Sequence, residues 1–267
     1  MASHPADPAP LTSGNTRVKQ ARRLARRAFR SDERLFLAEG PKAVAEALTL
    51  EGCVVEVFAT VAAGTEHTAL RGRAPRWTTL EDAALASLCD TVHPQGVVAL
   101  CRYVDRPLAH LLTPGARLVA VCADVRDPGN AGTVIRCADA AGADAVVLAG
   151  SSVDAYNPKT VRATVGSLFH VPLAVETDPV VAVAAAREAG LTVLAADGGG
   201  EVDLFEADAL LAGPTAWLFG NEAWGLPPEL AALADHRVRI PILGRAESLN
   251  LSTAAAVCLY ASARAQG

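Results

Sequence analysis

Apolar and polar positions follow a regular rhythm over the second half of the chain. From residue 117 on, short apolar runs alternate with stretches of helical periodicity. The pattern predicts a strand over 118–125, a helix over about 133–141, and a strand over 145–149. A helix ending near Phe169, a strand over 171–175, a helix over 180–189 and a strand over 192–196 follow. Further strands are expected over 215–219 and 238–243, the last leading to a helix that Ser248 would cap with its hydroxyl. Strands alternating with helices make a mostly parallel sheet covered on both faces. Ligands of such sheets sit beyond the carboxyl ends of the strands. Three polar loops fall there, over 124–132, 220–227 and 243–250.

The first hundred residues read as a smaller α/β domain. Residues 1–14, rich in Pro, Ala and Ser, are expected to form a flexible tail. Val18, Ala21, Leu24, Ala25 and Ala28 make an apolar stripe at helical spacing, predicting one helix over about 16–29. Strands over 35–38, 54–59 and 96–101 and a helix from Gly40-Pro41 to Leu50 complete this domain. Residues 105–116, with Pro107, Pro114 and Gly115, read as a linker. The expected organisation is therefore a tail (1–14), an N-terminal domain (15–104), a linker (105–116) and a C-terminal domain (117–267).

Composition narrows the class. The chain has 267 residues, of which 51% are hydrophobic and 20% charged, enough apolar content for full cores. Six scattered cysteines without C-x-x-C pairs, and six dispersed histidines, predict reduced thiols and no metal site. No export signal or membrane-spanning run is visible, so a soluble, cytoplasmic protein is expected. The net charge of −5 hides one basic element, since residues 1–40 alone carry eight Lys or Arg against four acids. Arg22, Arg23, Arg26 and Arg27 crowd the predicted first helix. Such a surface is either an ordinary solvated face or a phosphate-binding one, because arginine suits phosphate geometry.

The loops hold residues that structure alone does not require. Asp127-Pro128-Gly129-Asn130-Ala131-Gly132 lacks the G-x-G-x-x-G spacing of a dinucleotide site, which argues against an oxidoreductase. Asn130 would suit a helix N-cap. Arg136 lies among apolar neighbours, where an ion pair with Asp139 is the plain structural alternative. Gly220 and Gly225 frame Glu222 and Trp224 directly after an apolar strand. Asn250 is a poor helix former between Leu249 and Leu251.

Together these loops resemble the three signature motifs of the SpoU (TrmH-like) family of RNA ribose 2′-O-methyltransferases, within the SPOUT superfamily. The matching stretches are Asp127 through Arg136, Leu218 through Leu226, and Ile240-Pro241-Ile242 through Ser248-Leu249-Asn250-Leu251-Ser252. Asn157 through Ala163 is similar to the intermediate segment of that family, and Phe36 through Gly40 resembles its L30e-like substrate-binding domain. The resemblance implies an α/β fold whose C-terminal domain carries a trefoil knot, and a homodimer formed through that domain. It implies S-adenosylmethionine as cofactor, with its adenine near Gly220, Ile240 and Leu249 and with Leu218 and Ile242 close by. Arg136 would stand nearest the ribose hydroxyl, Glu222 would orient Arg136 or Asn130, and Asn130, Ser248 and Asn250 would position ribose and cofactor. The substrate expected is structured RNA, 23S ribosomal RNA ahead of tRNA, gripped by Arg22, Arg23, Arg26 and Arg27. A non-catalytic RNA-binding protein on the same scaffold is the competing reading. It has no need of Asn130, Arg136, Glu222, Ser248 and Asn250 together.

Overall fold

The structure, a computed structural model, describes residues 9–267. It divides into two compact units: the first ends at Tyr103 and takes in Tyr156–Pro158, and the second comprises Val104–Ala155 and Lys159–Gly267.

The first unit is built on four strands, β1 (Leu35–Glu39), β2 (Val54–Thr60), β3 (Trp77–Leu80) and β4 (Val97–Arg102), in the order β1-β4-β2-β3. The β1/β4 and β4/β2 pairs are antiparallel and β2/β3 is parallel. Strand β3 is not among the expected strands, because Trp77-Thr78-Thr79-Leu80 is short and only half-buried at the sheet edge. Leu11, expected in a flexible tail, is instead tied to this edge: its N–H donates to Thr79 O and its carbonyl accepts from Glu81 N–H. The single helix expected over 16–29 is two, Thr16–Arg23 and Arg27–Glu33. The break has a visible cause. Arg30 is buried at 2% exposure, and its guanidinium donates to Leu24 O at 2.7 Å and Ala25 O at 2.9 Å, holding the turn between the helices.

The second unit is a seven-stranded sheet in which every adjacent pair is parallel. Its strands are β5 (Leu118–Ala123), β6 (Ala145–Ala149), β7 (Leu173–Glu176), β8 (Thr192–Ala196), β9 (Val202–Asp203), β10 (Thr215–Phe219) and β11 (His236–Arg239). They are ordered β7-β6-β5-β10-β8-β11-β9. One face buries Val119, Val121, Val147, Val193 and Leu218 against Ala182, Val183 and Ala186 of the Pro179–Glu188 helix. The same cluster takes in Leu111, Leu112 and Ala116. Residues 105–116, expected as a linker, therefore belong to the second core and include a short helix, Leu108–Leu111. On the other face the Leu251–Gln266 helix seals the centre of the sheet, where Trp217 Nε1–H donates to Ser262 Oγ at 2.9 Å.

The last strand also ends earlier than expected. Strand β11 stops at Arg239, and residues 240–250 leave the sheet. Pro241 lacks an N–H for a further ladder bond, and the neighbour on that side, β9, is two residues long.

Candidate active site

Strands β5 and β10 are adjacent, yet the chain leaves β5 for β6 and β7 on one side while β8 and β11 lie on the other. This is a topological switch point, where the loops beyond neighbouring carboxyl ends diverge and leave a crevice. Here the two loops are lashed together. The Glu222 carboxylate, beyond β10, accepts the backbone N–H groups of Arg126 (3.2 Å) and Asp127 (3.0 Å), beyond β5. Asn130 Nδ2 donates to the same carboxylate at 3.4 Å. Next to it, Asn221 Nδ2 donates to Asp124 O at 2.7 Å, bracing a residue held at φ 56°. Beneath these loops Cys122 is fully buried on β5. Burial first, and then the negative charge of Glu222, push its thiol up to about 12, so it stays neutral and is no base.

The third loop closes the arrangement. Asn250, not Ser248, caps the C-terminal helix, its Oδ1 accepting from Ser252 N–H at 2.9 Å and Thr253 N–H at 3.3 Å. A poor helix former thus occupies the one helix position it favours. The cap leaves Nδ2 free to donate to Asn130 Oδ1 at 3.0 Å. Asn130 itself is not the N-cap of its helix. Asp127 caps it, accepting Asn130 N–H at 2.8 Å, and Pro128 starts it, five residues ahead of the expected start. Lys159, in the intermediate segment, reaches Asp127 at 3.7 Å.

A cavity of about 360 Å³ opens over the ends of β8, β10 and β11. Phe219, Val238, Ile240, Ile242, Leu249 and Leu251 form its apolar wall, and Asp197, Glu222 and Glu247 bring carboxylates to it. Gly220 is fixed by close approach: a Cβ there would fall 2.3 Å from the carbonyl carbon of Gly225. Of the residues singled out by sequence, Gly220, Glu222, Ile240, Ile242, Ser248 and Leu249 line this cavity. Leu218 does not. Its side chain packs in the sheet core on the opposite face, and the wall position belongs to its neighbour Phe219. The strand period of two decides this, since only alternate residues share a face. Asn130 and Asn250 stand beside the cavity through Glu222 rather than in its lining. Arg136 is exposed on the Pro128–Ala140 helix, about 9 Å along the axis from Asn130 at 1.5 Å per residue. The ion pair with Asp139 is not formed. Asp139 instead contacts His170 Nδ1 at 2.9 Å, and Arg136 has no hydrogen bond or ion pair among the described residues. Sequence reasoning did not single out Asp197, Gly198, Asn221 and Glu247; the first three follow closely on expected strands, and Glu247 lies in the third polar loop.

In the first unit Arg22, Arg26 and Arg27 are exposed, and the Arg23 guanidinium lies 3.8 Å from the centroid of the Phe29 ring. Arg17 is drawn inward to the buried carboxylate of Glu56. No group of three or more His, Cys, Asp or Glu is placed to hold a metal among the described residues.

A parallel α/β sheet with a cavity beyond the carboxyl ends of β8, β10 and β11, beside the switch point, defines a ligand-binding enzyme domain of the doubly wound kind. The chain belongs to the SpoU rRNA methylase family, whose model matches residues 117–260. A second model, the MRM3-like substrate binding domain, matches residues 15–99. The 23S rRNA (guanosine(2553)-2′-O)-methyltransferase RlmP of Bacillus subtilis is 35% identical over 249 residues, 92% of this chain and 95% of that protein. The 23S rRNA (uridine(2479)-2′-O)-methyltransferase of Streptomyces viridochromogenes is 41% identical over 51% of this chain and 49% of its own. An AdoMet-bound rRNA methyltransferase from Sinorhizobium meliloti superposes with a TM-score of 0.83 at 36% identity, covering 96% of this chain and 97% of the other. The SpoU methyltransferase AviRb from Streptomyces viridochromogenes, in complex with AdoMet, also gives 0.83, at 30% identity over 94% and 98% of the two chains.

Proposed function

We propose that this protein transfers a methyl group from S-adenosylmethionine to a ribose 2′-hydroxyl of 23S ribosomal RNA. The observation that carries the reading is the convergence of Asn130, Glu222 and Asn250, from three separate loops, at the mouth of an apolar-walled cavity. The cavity suits the cofactor by its chemistry. Phe219, Ile240 and Leu249 offer an apolar slot to an adenine, and Asp197 and Glu247 suit a ligand bearing an ammonium and a sulfonium. Ile242 and Leu249 are more than a third exposed, which is apolar surface that a ring would cover. When bound, the cofactor supplies an electrophilic methyl.

The chain's own groups do the remaining work. Glu222 fixes the two N–H groups of Arg126 and Asp127 and, through them, the start of the helix that carries Asn130 and Arg136. Asn130 and Asn250, oriented by each other, present amide groups to the ribose, which positions it at little entropic cost in the reaction itself. Arg136 offers a guanidinium, which donates hydrogen bonds and has no acceptor. Its role is to hold an RNA phosphate and to stabilise charge developing on the 2′-oxygen, not to accept the proton. Ser248, at the cavity wall, completes the polar edge.

The exposed Arg22, Arg23, Arg26 and Arg27 grip the RNA backbone in this proposal, in a domain matched by a substrate-binding family model. A homodimer through the second unit belongs to the same proposal, supported by exposed Val175 on β7 and exposed Val180 and Val181 on the helix that follows it. So does a knotted path for the last residues. The Leu251–Gln266 helix returns to pack on β5, β8 and β10 after the chain has passed the loops beyond β8 and β10. A cytoplasmic location follows from the substrate; among the described residues no helix is long and apolar enough to cross a membrane. Mass-spectrometric mapping of 2′-O-methyl ribose in RNA from a deletion strain and its parent tests the whole reading. Loss of one modified nucleotide in 23S rRNA is expected. A loss confined to tRNA, or no loss at all, overturns it.

A further inference from the structure

Trp224 is a large side chain of the second loop that the proposed chemistry leaves without a task. It is 55% exposed, whereas Trp217 is fully buried and Trp77 half-buried. Its neighbours Ala223 and Gly225 line the cavity and Trp224 does not, so its ring projects from the outer side of the loop. The loop is stiff. Asn221 and Gly225 exchange two backbone hydrogen bonds of 2.9 Å, with Gly225 at φ 71°. The Arg126 guanidinium lies 5.0 Å from the centroid of the ring, within cation–π range. Arg126 in turn is anchored by its backbone N–H to Glu222, the carboxylate that also holds Asn130.

We propose that Trp224, backed by Arg126, is a stacking platform for an unpaired nucleobase of the RNA next to the methylated ribose; this rests on the methyl-transfer reading above. Single-stranded bases splayed from a fold are recognised by stacking on aromatic faces and guanidinium planes. A rigid ring with one face turned to a cation matches that chemistry, because a base flanked by phosphates satisfies both the ring and the guanidinium. A dry protein interface would instead bury the guanidinium and require an anion from the partner. A cofactor contact requires the ring to line the cavity. The platform also places base recognition on the same carboxylate-anchored loops that position the ribose, so reading a base and aligning its hydroxyl become one event.

The test uses the full-length enzyme and 23S rRNA isolated from a strain lacking the gene. Trp224→Ala is expected to raise the KM for this RNA about tenfold or more, from the loss of one stacked base. The Kd for S-adenosylmethionine should stay within about twofold by calorimetry and kcat should fall less than KM rises, while Trp224→Phe restores most of the affinity. A Trp77→Phe background leaves Trp224 beside the fully buried Trp217, so Trp224 is the tryptophan a ligand can reach for fluorescence quenching. Quenching by a single-stranded oligoribonucleotide, and not by its abasic counterpart, is expected. An unchanged KM in Trp224→Ala overturns the platform. So does weakened cofactor binding with unchanged KM, or a shift from dimer to monomer in light scattering. If the parent enzyme transfers no methyl to the RNA, the methyl-transfer reading fails, and the quenching comparison still decides the platform.

Discussion

Asn250 Nδ2 donates to Asn130 Oδ1 at 3.0 Å, joining two loops that lie 120 residues apart in the chain. Because Asn250 Oδ1 is held by Ser252 and Thr253 N–H groups, the amide can face Asn130 only with its nitrogen. The residue caps a helix and orients a site residue at once, and the two tasks can be separated. Asn250→Asp keeps a capping oxygen but replaces the donor by a carboxylate. Its melting temperature should stay near that of the parent while methyl transfer falls at least about tenfold, the size of one mispaired polar contact. Asn250→Ala should lose activity and also about 1 kcal/mol of stability from the missing cap. Thermal unfolding beside a methyl-incorporation assay checks both. Equal melting temperatures for the two variants would remove the cap from the account.

Glu222 offers a second separation. Its carboxylate accepts from three donors, and Gln presents one carbonyl oxygen and an NH₂ group to the same set. Glu222→Gln should therefore fold, yet leave one backbone N–H of the 126–127 turn facing another donor. Methyl transfer should drop by about 10² or more, as for a misaligned site. Kinetics with circular dichroism as a fold control test this; activity within a factor of two of the parent would deny Glu222 its orienting role.

Arg136 should behave differently from both. It is exposed and has no hydrogen bond or ion pair among the described residues, so Arg136→Ala should change stability by no more than about 0.5 kcal/mol. Transfer should nonetheless be lost by about 10² or more, the scale of one removed electrostatic contact to a transition state. Calorimetry should give a cofactor affinity close to the parent's, since Arg136 does not line the cavity. Lost cofactor binding in the folded variant would take Arg136 out of the chemistry.

Two backbone contacts predict the cost of a single methyl group. At Gly220 a Cβ would meet the Gly225 carbonyl carbon at 2.3 Å, and at Gly132 it would meet Thr160 O at 2.6 Å. Gly132→Ala should destabilise by about 1–3 kcal/mol by overpacking two helices. Gly220→Ala should, in addition, displace the cavity wall and weaken cofactor binding, which titration of each purified variant would register.

The arginines of the first two helices divide by burial. Arg30→Ala should lower stability by about 1.5–3 kcal/mol, because its guanidinium holds two carbonyls at the interhelical turn. Reversing Arg22, Arg23, Arg26 and Arg27 to Glu should leave the melting temperature nearly unchanged, weaken RNA binding and flatten its dependence on salt. RNA affinity unaffected by the four reversals would exclude this surface from binding.

By itself the sequence determined the alternation of strands and helices after residue 117, the three polar loops, and the residue types at the site. Those are local properties, carried by hydrophobic period, by glycine and proline, and by side-chain chemistry. It also marked Asn250 as a residue without a reason inside the helix, because it assigned the cap to Ser248. The tertiary structure decided everything that depends on neighbours. A strand's apolar run does not encode its partner, so only the fold set β10 beside β5, brought Glu222 to Arg126 and Asp127, and ended β11 at Arg239 next to a two-residue edge strand. The same limit explains Leu218, whose face in the sheet followed from register, and Arg30, whose two carbonyl partners meet only at the folded turn between the first two helices. Residue chemistry is written along the chain, and proximity arises only from packing.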